Sequence, residues 1–239
     1  TMTTMIQLKQ VLRNKRFVLF TILIPLAWYL FIYNVQKDVV PNILLGIAVF
    51  IGIIGNSLAT FSKRISSNIG FYSFESSFSR YGLKNFLLDQ TLVQVFLNAL
   101  IFAVVLIFAV LYAHFPLHGS LVIQFLLLSV MGIYFSIIGF VLGVRVDAKI
   151  LDTVGFPIIV LAAMTIMPFA SFGADGSFIN VVTKVQQFFP GYYYSHMIQA
   201  IASGTAISAK DILFFAGTFV LDLLPLYFLI PRKKVATNR

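Results

Sequence analysis

Cysteine is absent from this sequence, which excludes disulfides, thiolate metal sites and a cysteine nucleophile. Charged residues are also scarce, at 10% of the 239 residues, whereas soluble globular domains usually contain about 25%. A Gly-x-x-x-x-Gly-Lys-Ser/Thr loop is missing as well, so the chain cannot cradle nucleotide phosphates in that manner. Energy for any driven process must therefore come from a partner or from an ion gradient.

Apolar residues are abundant in this chain. Hydrophobic residues make up 59% of it, and the mean hydropathy is +0.95. Long apolar runs recur along the whole length, so no stretch is large and polar enough for a soluble domain. We predict one integral membrane domain over residues 1–239. We expect its first span to stay in the protein and not to be a cleaved signal peptide, because Pro25 lies in it and no cleavage pattern follows.

The apolar runs predict an all-α membrane protein with six transmembrane helices. A bilayer core about 30 Å thick needs about 20 mostly apolar residues per helix, because unpaired backbone groups are not tolerated in hydrocarbon. Six segments meet this requirement: Phe17 to Tyr33, Asn42 to Thr60, Thr91 to Ala113, Leu121 to Val144, Thr153 to Ala170 and Ile212 to Ile230.

The basic residues predict the orientation. Of the 17 Lys and Arg residues, only Lys37, Lys184 and Lys210 lie outside the two termini and the loops after spans 2 and 4. The positive-inside rule therefore places both termini in the cytoplasm of a multi-pass plasma-membrane protein. The net charge of +9 indicates this orientation and contact with anionic lipid, rather than nucleic-acid binding.

Two amphipathic segments are predicted on the cytoplasmic side. At the N-terminus, Met5, Leu8 and Leu12 line one face of a helix that should lie on the membrane surface. Between spans 2 and 3, helical spacing aligns four aromatic side chains on one face, while Arg80 faces elsewhere: Phe71, Phe74, Phe78 and Tyr81. This second helix either lies in the headgroups or docks into a groove on a partner.

The stretch between Ala170 and Lys210 is too long for a turn and too apolar for a solvated loop. Helical periodicity over Val181 to Phe189 and over Tyr192 to Ala202 predicts two short helices, broken at Pro190 and Gly191. We expect them to dip partway into the outer leaflet, with protein around the broken backbone. Tyr192 and its neighbours suit either interfacial anchoring or an outer gate.

These features together resemble the permease subunit of the type 2 ABC exporter family. The resemblance covers essentially the whole chain, and "FFPGYYYSHMIQAIASG" is the closest local match. It implies a coupling helix between spans 2 and 3 that contacts an ATPase through Phe71, Phe74, Phe78, Arg80 and Tyr81. It also implies an outer gate near Pro190, Gly191 and Tyr192.

The resemblance further implies the assembly and its activity. Two ABC ATPase subunits would bind ATP and Mg, this chain would bind no cofactor, and a second permease copy or a paralogue would complete a dimer. The expected activity is ATP-driven export of a lipophilic or amphipathic substrate such as a drug, a peptide or a lipid-like molecule, as in multidrug or peptide efflux. The substrate itself is not encoded in recognisable residues, and this chain is not expected to be an enzyme.

Polar residues within the spans are candidates for a substrate path. Asp222 stands near the middle of span 6, where an ionised carboxylate costs about 2.5 to 3.5 kcal/mol on insertion scales. It is either functional or satisfied by a neighbouring span, and an ion-coupled secondary carrier using Asp222 is the alternative function. Asn56 and Asn98 suit a substrate path or interhelical hydrogen bonds equally well.

The remaining motifs are structural or weak. Gly139 and Gly143 form a Gly-x-x-x-Gly pair that predicts close helix packing, against a span of the same chain or of a second copy. His114 and His118 are separated by Pro116, which disrupts a regular helix, and no third ligand lies nearby, so no metal site is predicted.

Overall fold

A computed structural model describes residues 8–9, 11–35, 39–68, 70, 83–173 and 175–229. All regular structure within these ranges is helical, which confirms the predicted all-α class. The five residues predicted to couple to an ATPase, from Phe71 to Tyr81, lie outside the described residues. Met5, Lys37 and the basic tail also lie outside them.

The described helices are labelled here in chain order. They are α1 at 15–35, α2 at Pro41–Asn68, α3 at Leu83–Ala113, α4 at Ser120–Arg145, α5 at Ala148–Met164, α6 at Ser177–Gln186, α7 at Pro190–Ala202 and α8 at Ala209–Leu229. Four of them, α2, α3, α4 and α8, are long and apolar enough to cross a membrane. The chain is thus a membrane-embedded helical protein with at least four candidate spans.

The fifth predicted span ends earlier than the sequence suggested. It was expected to reach Ala170, but α5 ends at Met164 and a turn follows. The hydroxyl of Thr165 donates to the carbonyl of Ala162 (2.7 Å), and Pro168 lacks the N–H that a continuing helix needs. A short 3₁₀ turn at Phe169–Phe172 therefore replaces the last part of the predicted span.

Helix α2 forms the centre of the bundle. Its sequence is apolar on every side, a pattern typical of a fully buried helix. It packs against α1, α3, α4, α5 and α7, and nearly all of its residues up to Phe61 are buried. Helix α8, in contrast, lies on the outside of the bundle and packs mainly against α4 and α7.

The glycines of α4 allow this helix to pack closely on α2. Gly139 lies directly against the backbone carbonyl of Ser57, and Gly143 lies against the carbonyl of Ser62 and the side chain of Ile65. A Cβ atom at either glycine would overlap these atoms. The predicted close packing is confirmed, and its partner is a helix of the same chain.

Three contacts join the ends of α2, α4, α5 and α8 at one end of the bundle. Lys63 of α2 forms an ion pair with Asp152 of α5, with 2.6 Å between Nζ and Oδ2. Ser66 donates to the carbonyl of Val146 (2.9 Å), and Arg145 donates to the carbonyl of Leu229 (2.7 Å). We call this end the basic end, since most of the described Lys and Arg residues lie there; Lys184 and Lys210 lie at the far end.

The N-terminal segment packs on α3. Leu12 was expected on the apolar face, but 42% of it is exposed, whereas Val11 is only 4% exposed. Val11 and Phe17 form a small core with Val93 and Leu97 of α3. Contact with α3 thus buries Val11 and Phe17, and the placement of Leu12 on the membrane surface stays a prediction.

The two short helices before α8 are confirmed. Helix α6 begins at Ser177, a turn earlier than predicted, and α7 begins at Pro190, whose missing N–H is no loss at a helix start. Gln186 donates to the carbonyls of Met164 (2.6 Å) and Met167 (3.0 Å), and these bonds hold the pair against the end of α5.

Candidate functional site

Six polar side chains are buried where α2, α3 and α4 meet. Three of them, Gln90, Gln94 and Asn98, recur every fourth residue and so lie on one face of α3. Each of the six is at most 8% exposed; we call them the polar seam: Asn56, Ser57, Gln90, Gln94, Asn98 and Ser136.

A chain of hydrogen bonds links the three helices within the polar seam. Gln94 of α3 donates to the hydroxyl of Ser57 (3.2 Å), and the hydroxyls of Ser57 and Ser136 are 3.3 Å apart. Ser136 donates its single hydroxyl proton to the carbonyl of Gly132 (2.6 Å), so Ser57 must be the donor to Ser136. The seam therefore has a defined donor direction, from α3 through α2 to α4.

The two asparagines of the seam have no such partners. Neither amide atom of Asn56 or of Asn98 makes a hydrogen bond to any described residue, although the residues are 1% and 4% exposed. The amide of Asn98 lies directly against Gly132, where a Cβ would collide with it. A buried amide left unpaired costs about 1–3 kcal/mol, so both asparagines destabilise the packed bundle.

The seam coincides with an irregular turn of α2. Residues Gly55–Phe61 form a π-helical turn, which carries Asn56 and Ser57. A second π-helical turn, Leu19–Leu23 of α1, packs against it and buries Thr21 without a hydrogen-bond partner among the described residues. Such turns are rare and frequently occur at functional sites, because they disturb the regular backbone hydrogen bonding.

A large cavity lies beside the seam, between α4 and α8, and is open on one side. Its volume is about 690 Å³, within the range of small-molecule sites. Gln90 and Ser136 belong both to its wall and to the seam, and most of the other lining is aliphatic or aromatic, including Ile137, Phe219 and Leu223. The cavity thus offers an apolar chamber with a few polar groups on its inner wall.

Asp222 lies apart from the two asparagines with which the sequence analysis grouped it. The hydroxyl of Tyr134 donates to the Asp222 carboxylate (2.8 Å). Tyr134 is two positions from both Gly132 and Ser136, and residues two apart point to nearly opposite sides of a helix. The structure therefore places Asn56 and Asn98 in the seam, and Asp222 on another side of α4.

At the predicted outer gate, Pro190 and Gly191 are buried and Tyr192 is half-buried. Gly191 packs against the side chain of Ile166, which leaves no room for a Cβ. The Tyr192 ring lies on the surface of α7, 4.3 Å from the ring of His196. Ser195 donates to the carbonyl of Ile166 (2.7 Å), so this junction is tightly closed.

Tyr194, which the sequence analysis assigned to interfacial anchoring or an outer gate, enters the bundle. It is 3% exposed, its ring is 5.3 Å from that of Phe50 in α2, and its hydroxyl lies beside Gly46. Met197 and Ile198 follow Tyr194 at i+3 and i+4, so the three side chains lie on one face of α7. This apolar spacing indicates that the face is buried.

Comparison with known proteins does not assign this chain to a family. No protein-family model matches the chain, and no curated protein or solved structure is significantly similar to it. Among the residues that the structure describes, no group of three or more His, Asp or Glu side chains is placed to hold a metal ion.

Proposed function

We propose that this chain is the membrane permease subunit of an ATP-driven exporter of the type 2 ABC family. In this proposal α1 and α5 complete six spans, and the basic end faces the cytoplasm of a plasma-membrane complex. A second permease copy or a paralogue and two ATPase subunits, which bind ATP and Mg, form the rest of the assembly. The cargo is lipophilic or amphipathic.

The observation that carries the transport proposal is the polar seam with its two unpaired asparagines. Polar groups within membrane spans are costly and mark substrate or ion pathways by default. A bundle that served only as an anchor would gain stability from apolar residues at these positions. The adjacent cavity suits an amphipathic cargo, because its walls are apolar and its inner side presents Gln90 and Ser136.

The basic end supports a mechanism of coupling. The aromatic stretch from Phe71 to Tyr81 follows α2 and precedes α3, and α2 leaves the bundle at this end. Lys63 and Ser66 connect the same end of α2 to α5 and to the end of α4. A movement of the ATPase would therefore reach α2 first and pass along it, as a rigid-body displacement, to the seam.

Purification of the intact complex tests this function. We expect an affinity-tagged chain, extracted from its native membrane in a mild detergent, to retain a protein that carries a nucleotide-binding loop and hydrolyses ATP. In proteoliposomes the complex should move a fluorescent amphipathic dye only when ATP and Mg are supplied on the side of the basic end. Purification without any ATPase, together with dye movement driven by an ion gradient, would contradict the proposal.

An ion-coupled carrier is the second candidate, and the contact between Tyr134 and Asp222 favours it, since a carboxyl and a phenol within a span suit proton transfer. The Asp222→Asn variant separates the two functions, because the amide oxygen still accepts the Tyr134 hydrogen bond but cannot carry a proton.

Under our proposal Asp222→Asn keeps ATP-driven transport within about threefold, since the Tyr134 hydrogen bond is kept and even its loss would cost only about 0.6 kcal/mol, the average within membranes. Transport assays with and without a pH gradient check this, with Asp211→Asn near the far end as the control. Complete loss of transport in Asp222→Asn alone would favour the carrier.

A further inference from the structure

A second cavity, of about 340 Å³, lies at the basic end, between the N-terminal segment and the last turns of α2. Six of its seven lining residues are polar or charged, in contrast to those of the cavity beside the seam. We call it the Arg64 cavity after its buried cation; it is lined by Val11, Asn14, Thr60, Lys63, Arg64, Ser67 and Asn68.

Within the described ranges, no carboxylate forms an ion pair with Arg64. Its Nε and Nη2 atoms are buried and make no hydrogen bond to any described residue. The guanidinium carbon lies 5.0 Å from the ring centre of Phe61, which fixes one face of the group. The nearby carboxylate of Asp152 is occupied by Lys63 at 2.6 Å. A largely buried guanidinium that pairs with no described carboxylate costs several kcal/mol, and a bound anion would offset that cost.

A second unpaired donor lies in the same cavity. Thr60 is 6% exposed, and its hydroxyl has no hydrogen-bond partner among the described residues. Thr60 and Arg64 both line this cavity. A guanidinium fork beside a hydroxyl matches the oxygens of a phosphate group, which accept several hydrogen bonds at once.

The depth of the cavity indicates where the phosphate comes from. Apolar residues of α2 are buried up to Phe61, and the polar sequence from Ser62 to Asn68 begins directly after it. This boundary is where a spanning helix leaves the hydrocarbon, at the level of lipid headgroups. We propose that the Arg64 cavity binds a phosphate group, supplied by the headgroup of an anionic phospholipid. The site does not depend on the transport proposal.

Thermal unfolding in a phosphate-free maltoside detergent tests the site, with Arg64→Met as the variant. Methionine keeps much of the aliphatic length but removes the unpaired charge, so Arg64→Met should unfold at a higher temperature than the wild type before lipid is added. Added dioleoyl phosphatidylglycerol should raise the unfolding temperature of the wild type with the logarithm of its concentration and leave Arg64→Met unchanged. Arg145→Gln, which removes an exposed cation at the same end, should respond as the wild type does.

Three further measurements identify the ligand. Dioleoylglycerol has the same acyl chains without phosphate and should not shift the unfolding temperature. Inorganic phosphate tests whether the bound phosphate group comes from solution or from a lipid. Native mass spectrometry should find one phospholipid retained by the wild type and by Arg64→Lys, and lost from Arg64→Met. Equal shifts with dioleoylglycerol and phosphatidylglycerol, equal retention by Arg64→Met, or an equal loss in Arg145→Gln would each overturn the proposal.

Discussion

Replacing Asn56 or Asn98 with leucine is expected to stabilise the protein and to stop transport. Each amide is buried without a hydrogen-bond partner among the described residues, and leucine has a similar shape. Removing an unpaired buried amide should raise the free energy of unfolding by about 1 kcal/mol, the low end of its desolvation cost. Transport should fall about tenfold or more, since one lost polar contact to the cargo is worth about 1.4 kcal/mol.

Unfolding temperature in detergent and ATP-dependent dye transport, measured on the same preparations, check both parts of this prediction. Asn34→Leu is the matched control, because Asn34 is exposed and its one hydrogen bond within the described ranges goes to the carbonyl of Leu30 in its own helix. Gln94→Leu should change the unfolding temperature in the opposite direction. It removes the donor to Ser57 and should lower the unfolding temperature. Normal transport by Asn56→Leu and Asn98→Leu would show that the seam serves packing alone.

The combination of gained stability and lost activity is what identifies a functional polar group. A structural hydrogen bond gives the reverse result, because its loss leaves a partner unsatisfied. Proteins retain destabilising groups where function requires them. The π-helical turn at Gly55–Phe61 belongs to the same argument, since it interrupts α2 at the residues that carry the seam.

Much of the fold follows from patterns that act locally. The lengths of the apolar runs predict the long helices, because the bilayer sets the length of a span. Pro190 predicts the break between α6 and α7, since proline has no N–H for a continuing helix. Gly139 and Gly143 predict the close contact with α2, because only the absence of a side chain permits it.

The features that the sequence could not predict depend on which faces of the helices contact each other. Asn56, Asn98 and Asp222 are all polar residues within spans, but only the packing around α4 shows that Asp222 lies apart from the other two. The π-helical turn in α2 has no composition of its own, so periodicity extrapolated through Gly55–Phe61 assigns the wrong faces beyond it. The burial of Val11 depends in the same way on its contact with α3, which no local pattern shows.

The double variant Phe74→Ser, Phe78→Ser is expected to lose the ATPase completely while remaining in the membrane. Helical spacing puts both rings on one face of the predicted coupling helix, and aromatic anchors carry much of the energy of helix-in-groove binding. The contacts of the flanking helix α2 explain how the predicted coupling helix would transmit movement to the bundle. Helix α2 ends at the basic end, where Lys63 and Ser66 tie it to α5 and to the end of α4.

Quantitative co-purification and ATP-dependent transport measure the effect, and membrane insertion is checked in parallel by the amount of chain extracted. Phe178→Ser with Phe188→Ser is the matched control, because these two rings are 72% and 73% exposed beside α6, near the far end of the bundle. The control should retain the ATPase and transport at the wild-type level. If both double variants keep the ATPase equally, the aromatic face between α2 and α3 rests on lipid, and energy must enter this bundle elsewhere.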